Sequence, residues 1–392
     1  MKNGFFEEGS CVLRAKINMS SSNMNMRDPI MYRILRKKHH RTGYKWCIYP
    51  TYDWTHGLCD YIEQISHSLC SLEFENRRPL YNWYLDQIYI KNKIRPKQIE
   101  FSRLNLSHTI TSKRKIQYLI EKKVIQSWDD PRILTISGLR RKGYTSVALK
   151  NFIHKIGVTK RNNIIDISFL EFCIREHLNK IAPRVMVVLH PIKLIIDNYL
   201  NTTEWVKAEN NPEDSNFGNR KVPFSKFIYI EEDDFLEKKE GNFFRLCIGK
   251  EVRLKNAYII KANSVIKNYK GKIKEIHCTY DPSSKSGKKN KIEKKERIKS
   301  TLHWVSIKHS FPIKINLYNP LFLNKNPFDK HINPKSKNKI IGYAEPYLKK
   351  AKKGNHFQFQ RVGYFYVNNE IINDKNQIIF NQTVSIKNKW KK

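Results

Sequence analysis

At 392 residues the chain exceeds one typical domain and allows about two to four units with cores of their own. Hydrophobic residues at 40% and aromatic residues at 12% are too many for a disordered polymer. Lysine and arginine number 74 against 36 acidic residues, a net charge of +38 that points to a polyanion as partner, although abundant Lys, Asn and Ile are also what an AT-rich gene gives.

The first residues, MKNGFFEEGSCVLRAK, carry no apolar signal region, and no run of about 18 apolar residues occurs anywhere. Residues 11–17 read as a strand and Arg27-Asp28-Pro29 as a turn. His39 and His40 are adjacent, so their rings point apart from either a helix or a strand, which suits a polar surface better than a closed zinc site. Residues 46–49 predict a short buried strand ending at Pro50. A helix is expected from near Thr55, with Leu58, Ile62, Ile65 and Leu69 on one apolar face. Tyr52 and His56 fall in that strand-to-helix turn, where open α/β folds bind ligands, and Tyr52 reads equally as a core tyrosine. Pro79 opens a second helix that turns Leu80, Trp83, Tyr84 and Ile88 inward.

Residues 101–115, FSRLNLSHTITSKRK, end in Ser112, Lys113, Arg114 and Lys115, three cations in four positions behind a hydroxyl. Mobile donors of this kind suit a phosphate whose charge rises in a transition state, and the same four residues alone read as a solvated surface loop. Residues 117–183 read as mainly helical. Within them residues 128–132 form a turn and residues 137–143 a basic loop. Thr145 caps a helix that buries Val147, Leu149, Phe152, Ile153 and Ile156 and stops at Gly157. A further helix places Leu170, Cys173, Ile174, Leu178 and Ile181 inward and ends before Pro183. From about residue 184 the period changes to two. Candidate strands at 185–189, 227–230, 244–248, 252–260, 273–280, 301–307, 313–317, 357–360 and 363–367, separated by Asn, Gly, Pro and Lys, suggest barrels. The run at 285–299, KSGKKNKIEKKERIK, reads as a mobile loop with non-specific attraction for phosphate. The seven cysteines form no CxxC and no Cys/His pair at zinc spacing, so they read as reduced thiols of a cytoplasmic protein.

Residues 47–86, CIYPTYDWTHGLCDYIEQISHSLCSLEFENRRPLYNWYLD, together with the order FSRLNL, SKRK, WDDPRILTISGLRRKGYT, resemble the KMSKS half of class I aminoacyl-tRNA synthetases. The resemblance is to the glutamine/glutamate branch and most to the glutaminyl-tRNA synthetase family, with residues 249–261 (GKEVRLKNAYIIK) the best-matched piece of the second half. Thr111 stands where that family has Met or Val. The resemblance implies an α+β multidomain chain. Residues 1–50 would be the end of an acceptor-stem-binding insertion and 51–100 the second half of a Rossmann catalytic domain. Residues 101–183 would hold the SKRK loop and a helical module, and 184–392 two anticodon-binding β-barrels. It further implies that the hydroxyl of Tyr52 meets the side-chain amide of glutamine and that Gln98 orders water beside it. Cys70 stands where glutamate-specific relatives tend to carry a basic residue, and a neutral thiol favours an amide over a carboxylate. His56 and Ser71 (commonly Thr) would lie on the ATP side, Arg103 and Leu104 at adenine and ribose, and Ser112 and Lys113 at the phosphates as the catalytic pair. Arg140, Arg141 and Lys142 would contact tRNA phosphates, with a solvated helix-linking loop as the alternative. Arg253, and after it Arg361, would contact anticodon bases.

The expected activity is glutamine–tRNA ligation through glutaminyl-adenylate, with ATP, glutamine and tRNA(Gln) as substrates, Mg²⁺ arriving on the ATP phosphates, no bound zinc, no membrane and a monomeric state. No H-x-G-H or related signature occurs in these residues. The chain is therefore expected to lack the N-terminal HIGH-containing part and to be inactive alone. The alternatives are a non-catalytic tRNA-binding remnant, the C-terminal half of a split synthetase with a separate N-terminal fragment as partner, and a glutamyl-tRNA synthetase.

Overall fold

A computed structural model describes the chain except residues 89–92, 201, 239–240, 242–243, 288–297, 299, 325–331, 369–377 and 387–392. Most of the basic run at 285–299 lies outside the described residues. The chain forms two units, one of residues 1–105 with 157–164 and one of residues 106–156 with 165–392.

In the first unit, strands β1 (Val12–Arg14), β2 (Ile30–Ile34) and β3 (Ile48–Pro50) make an antiparallel sheet in that order. Pro50 sits at the end of an edge strand, where its missing N–H costs nothing. The expected burial of this strand does not hold, because Ile48 and Tyr49 are half-buried and Trp46 is exposed. Helix α1 (Tyr52–Ile62) follows at once, then strand β4 (His67–Ser71), helix α2 (Arg78–Ile88) and strand β5 (Lys97–Phe101). Strands β4 and β5 pair in parallel with Leu69 opposite Ile99 and Cys70 opposite Glu100. Leu80 and Tyr84 of α2 pack with Ala15, Trp54 and Trp83, while Tyr81 and Leu85 pack with Tyr61.

The helical face expected from Leu58 through Leu69 is corrected here. Gln64 takes a φ of 57° and turns the chain, so α1 stops at Ile62 and Leu69 belongs to β4. The buried face of α1 is Gly57 and Tyr61, and a side chain at Gly57 would meet the Tyr81 ring at 3.2 Å. Ile62 and Leu69 are instead 66% and 63% exposed, and Ile99, opposite Leu69, is 38% exposed. A parallel strand pair is ordinarily covered on both faces, so this apolar surface is unusual.

In the second unit, helix α3 (Lys113–Glu121) buries Ile116 and Leu119 in a cluster with Ile110, Ile125, Ile133, Leu321 and Phe322. Helix α4 (Ile136–Lys142) replaces the expected basic loop. The Thr135 hydroxyl accepts from the Gly138 N–H at its start, and Gly143 takes φ +91° at its end. Helix α5 (Ser146–Ile156) is capped by Thr145, whose hydroxyl accepts from the Ala148 N–H at 3.3 Å, and stops at Gly157 with φ +68°. Its buried residues are Ala148 and Phe152. Val147 and Ile153 face out, because only one stripe of so short a helix meets helix α6 (Ile167–Ile181). Helix α6 buries Leu170, Cys173, Ile174 and Leu178 and leaves Ile181 exposed.

The β-rich part contains two seven-stranded sheets. Its strands are β6 (Arg184–Val185), β7 (Val187–Val188), β8 (Pro191–Ile196), β9 (Glu204–Glu209), β10 (Asn219–Phe224), β11 (Phe227–Glu231), β12 (Phe235–Leu236), β13 (Leu246–Cys247), β14 (Glu251–Leu254), β15 (Ile259–Lys267), β16 (Ile273–Asp281), β17 (Thr301–Leu302), β18 (Val305–Ser306), β19 (Phe311–Tyr318), β20 (Lys337–Ala344), β21 (His356–Phe359), β22 (Gly363–Val367) and β23 (Ile379–Ser385). The first sheet runs β17-β14-β15-β16-β8-β11-β18 and the second β6-β21-β22-β23-β19-β20-β7. In each the two outermost strands are consecutive in sequence, so one continuous segment (301–306 or 184–188) carries both edges and closes the sheet on itself. The single strands expected at 185–189, 252–260 and 301–307 are accordingly each split in two. Strand β8, the β9–β10 hairpin, β20 and β23 went unpredicted. Trp304, Phe224, Leu254 and Ile276 lie in the core of the first barrel, and Phe359, Phe365, Phe380 and Ile315 in that of the second.

The second barrel also receives the end of α4. The carbonyl of Gly143 accepts from His356 Nε2 at 2.7 Å, and Lys142 and Arg141 offer their carbonyls to Thr383 and Asn381 at 2.9 Å. A Cβ at Gly143 would press on Tyr366 and stand 2.7 Å from the Thr383 hydroxyl, in a backbone conformation that L side chains rarely adopt. Gly143→Ala should therefore lower stability by at least ~2 kcal/mol, read as a fall in the urea midpoint of unfolding.

Candidate active site and nucleic-acid interface

The turn from β3 into α1 sets Tyr52 and His56 one helical turn apart on the same side of α1, with ring centroids 5.3 Å apart. Phe74 approaches Tyr52 at 5.1 Å and Tyr81 approaches His56 at 5.4 Å. These four residues, with Asp53, Arg77, Leu80 and Gln98, line a small hollow. Cys70 lies outside that lining, buried on β4, with its thiol 3.8 Å from the Ile99 carbonyl. Burial and, after it, the neighbouring Glu100 carboxylate push this thiol upward, so it stays neutral at physiological pH. Burial likewise raises Tyr52, followed by Cys70, Asp60 and Asp53, and its hydroxyl remains protonated although the ring is half exposed.

Beneath the hollow lies a charged network. Glu100 on β5 is buried, and Arg78 grips it side-on, Nε donating to Oε1 at 2.8 Å and Nη2 to Oε2 at 2.6 Å. Lys160, brought in by the 157–164 segment, adds a contact at 3.1 Å. Gln98 Nε2 donates to the same carboxylate at 2.9 Å and to the Phe74 carbonyl at 3.0 Å. Both amide hydrogens of Gln98 are thus committed, and among the described residues nothing donates to its Oε1. Arg77 is tied to Asp53, its Nη1 donating to both oxygens at 2.8 and 3.0 Å. The guanidinium groups near the hollow are therefore already paired with carboxylates. Asp60 takes the Ser68 hydroxyl, which also bonds the Tyr81 hydroxyl, and lies 3.2 Å from His56 Nε2.

Ser71 precedes the short 3₁₀ turn Leu72–Arg77, and its side chain, followed by backbone bonding and Arg103, lowers Glu73. Arg103 reaches Glu73 at 3.4 Å from an exposed position, and Leu104 is half-buried in the segment after β5. Ser112 and Lys113 belong to the second unit. They do not form the expected loop: Ser112 occupies the N-cap of α3, and Lys113, Arg114 and Lys115 make its exposed first turn. Three cations at a helix N-terminus oppose the helix dipole, an arrangement that an anion would relieve.

Of the expected RNA contacts, Arg140, Arg141 and Lys142 end α4, where cations complement the dipole. Arg141 bonds Asp129 at 3.0 Å, and Lys142 lies 5.3 Å from the Tyr144 ring. Arg253 on β14 donates to the Ser284 carbonyl at 2.9 Å. Arg361 sits in the β21–β22 turn with φ 67° and pairs with Asp234. Sequence reasoning missed Arg77, Arg78, Glu100 and Lys160, and also Arg184, whose side chain bonds Glu213 and Asn179. Only the alternation of QIEF around Glu100 hinted at a buried acid, and nothing local ties it to Lys160. Among the described residues no group of His, Cys, Asp and Glu converges as a metal site, and no helix is long and apolar enough to cross a membrane.

Residues 1–180 match the family model for the catalytic domain of class I tRNA synthetases (E and Q). Residues 182–281 and 301–368 match two anticodon-binding domains of the same class. The chain is 46% identical over 399 residues to a glutamine–tRNA ligase of Clostridium kluyveri, and 48% identical over 396 and 397 residues to those of Psychromonas ingrahamii and Escherichia coli O157:H7. Each alignment covers all of this chain and 70–71% of the relative.

The Glu100 carboxyl is held at about 2 against an ordinary 4.5, chiefly by Arg78, with Gln98 and Lys160 adding to it against the cost of burial. A depressed folded value stabilises the protein fully above the unfolded value and ceases to do so as pH falls toward 2. Glu100→Gln should cost about 3 kcal/mol at neutral pH and flatten the loss of stability between about pH 4.5 and 2, as measured by urea unfolding across that range.

Proposed function

The chain belongs to the class I aminoacyl-tRNA synthetases of the glutamate and glutamine branch, and we propose that its reaction is the ATP-dependent attachment of glutamine to tRNA(Gln). The observation that carries the choice of amino acid is the fixed amide of Gln98. With both hydrogens spent on Glu100 and Phe74, its oxygen is an acceptor, which attracts the N–H₂ of a glutamine side chain and repels a glutamate carboxylate. The neutral Cys70 thiol and Tyr52 hydroxyl add no cation that would favour the acid, and Arg77 and Arg78 are already paired.

In this reading the glutamine carboxylate attacks the α-phosphate of ATP, pyrophosphate leaves with the Mg²⁺ that ATP carried in, and the terminal ribose of tRNA then displaces AMP. Ser112 and Lys113 meet the phosphates, His56, Ser71, Arg103 and Leu104 the rest of the nucleotide, and positioning with charge stabilisation supplies the rate. Arg140, Arg141 and Lys142 neutralise tRNA phosphates, and Arg253 and Arg361 read anticodon bases. The exposed Leu69 and Ile99 of the β4–β5 pair, with Ile62 at the end of α1, favour a further statement. That apolar face is a surface for further packing, which the longer relatives have room to supply, and it has to be covered before the nucleotide site is complete.

Two measurements test this. The purified 392-residue chain should bind a tRNA(Gln) transcript in preference to bulk tRNA, and Arg253→Ala should weaken that binding by about tenfold; equal affinity for both RNAs would refute the assignment. With glutamine, ATP and tRNA, the same chain should show no ATP–pyrophosphate exchange. Robust exchange would show that the exposed sheet face needs no further cover.

A further inference from the structure

Arg361 is held by an unusual set of partners. Its Nη2 donates to Asp234 Oδ1 at 2.7 Å and its Nη1 to Oδ2, so the carboxylate meets the guanidinium end-on. The other hydrogen of Nη1 points to Nδ1 of the buried His303 at 3.4 Å. An imidazole that accepts at Nδ1 carries its proton on Nε2, which lies 3.3 Å from Glu231 Oε1. Glu231 in turn accepts the backbone N–H groups of Leu189 and His190 at 2.7 and 2.9 Å, at the crossing from the second barrel into the first. Asp234 is buried and also takes Arg245 at 3.0 Å.

Counting hydrogens shows what is left. Both on Nη1 and one on Nη2 are used, and among the described residues nothing accepts from Nε–H or the second Nη2–H. Those two lie parallel on one edge of the group, a fork suited to a base edge with adjacent acceptors. The Arg361 side chain is a third exposed. Its charge is partly offset by a carboxylate that it shares with Arg245, which weakens its attraction for phosphate without removing its directional donors.

We propose that Asp234 is a specificity-determining positioning residue: by pairing end-on with Arg361 it converts a general phosphate binder into a reader of one anticodon base. The inference rests on the assignment of Arg361 made above. It predicts a behaviour that loss of mere structural support would not give, namely weaker discrimination together with stronger non-specific binding.

The test uses the full chain and the anticodon stem-loop of tRNA(Gln), with loops in which each anticodon base is exchanged in turn, titrated across a salt series. For Asp234→Asn, discrimination at one anticodon position should fall about tenfold, and the log–log salt slope for exchanged loops should steepen by about one. Asp234→Glu should recover part of the discrimination. Adding Asp234→Asn to Arg361→Ala should change nothing further, and melting temperatures read in parallel confirm that each variant is folded. Unchanged discrimination and slope in Asp234→Asn, with Arg361→Ala impaired, would overturn the role of Asp234 alone. An Arg361→Ala variant that binds every loop as the parent does would overturn the assignment of Arg361 and this inference with it.

Discussion

A carboxylate removed from water organises the catalytic unit. Glu100 could not remain ionised at the base of the strand pair without Arg78, and the two together fix three things at once. They orient the amide of Gln98, bring the 157–164 segment against β5 through Lys160, and hold the start of α2 to the sheet. Breaking one partner of such a network leaves the others buried and uncompensated, which is why its members act as a unit. The selectivity proposed for the hollow above is a by-product of this arrangement. An amide whose donors are all committed can only accept.

The barrels use the same device at larger scale. Arg220 and Glu345 form an almost fully buried pair in which burial pushes the carboxyl up while Arg220 pulls it down, and Glu345 also accepts the Met186 N–H at 3.3 Å. Arg220 belongs to the β9–β10 hairpin, inserted with the first barrel, and Glu345 follows β20 of the second. With the Asp234–Arg361 pair, this gives two ion pairs that join the barrels, the Glu345 one directly beside the shared segment at 184–191. Apolar packing alone would hold the barrels together without fixing their angle, and the directional pairs supply that specificity.

What the sequence disclosed follows from range. Features set by neighbours along the chain were legible: the Thr145 cap and Gly157 stop of α5, the Pro-marked start of α2, the change of period near residue 184, and Tyr52, His56 and Gln98 around one hollow. Basic segments misled, because Lys and Arg do not distinguish an exposed helical turn from a loop, and both SKRK and SGLRRKG proved helical. The apolar spacing from Leu58 to Leu69 imitated a helix across a turn that a single residue, Gln64, produced. Long-range partners left no local trace. Nothing near Lys160 announces Glu100, and nothing near Arg361 announces Asp234.

The closing segments have a consequence for how the chain acquires its shape. Residues 184–188 emerge early, yet their hydrogen-bonding partners, such as Tyr343 for Val188 and Phe359 for Val185, are made only after the entire first barrel. The second barrel must therefore wait with both seams unpaired while more than a hundred residues are synthesised and fold between them. The entropic cost of closing a loop over that span grows only slowly with length, but pairing so distant in sequence is slow to nucleate. During synthesis this is the interval when Val185, Val187 and Val188 lie open to misassociation, so the yield of soluble protein should be set by the kinetics of that last closure more than by the stability of the finished fold.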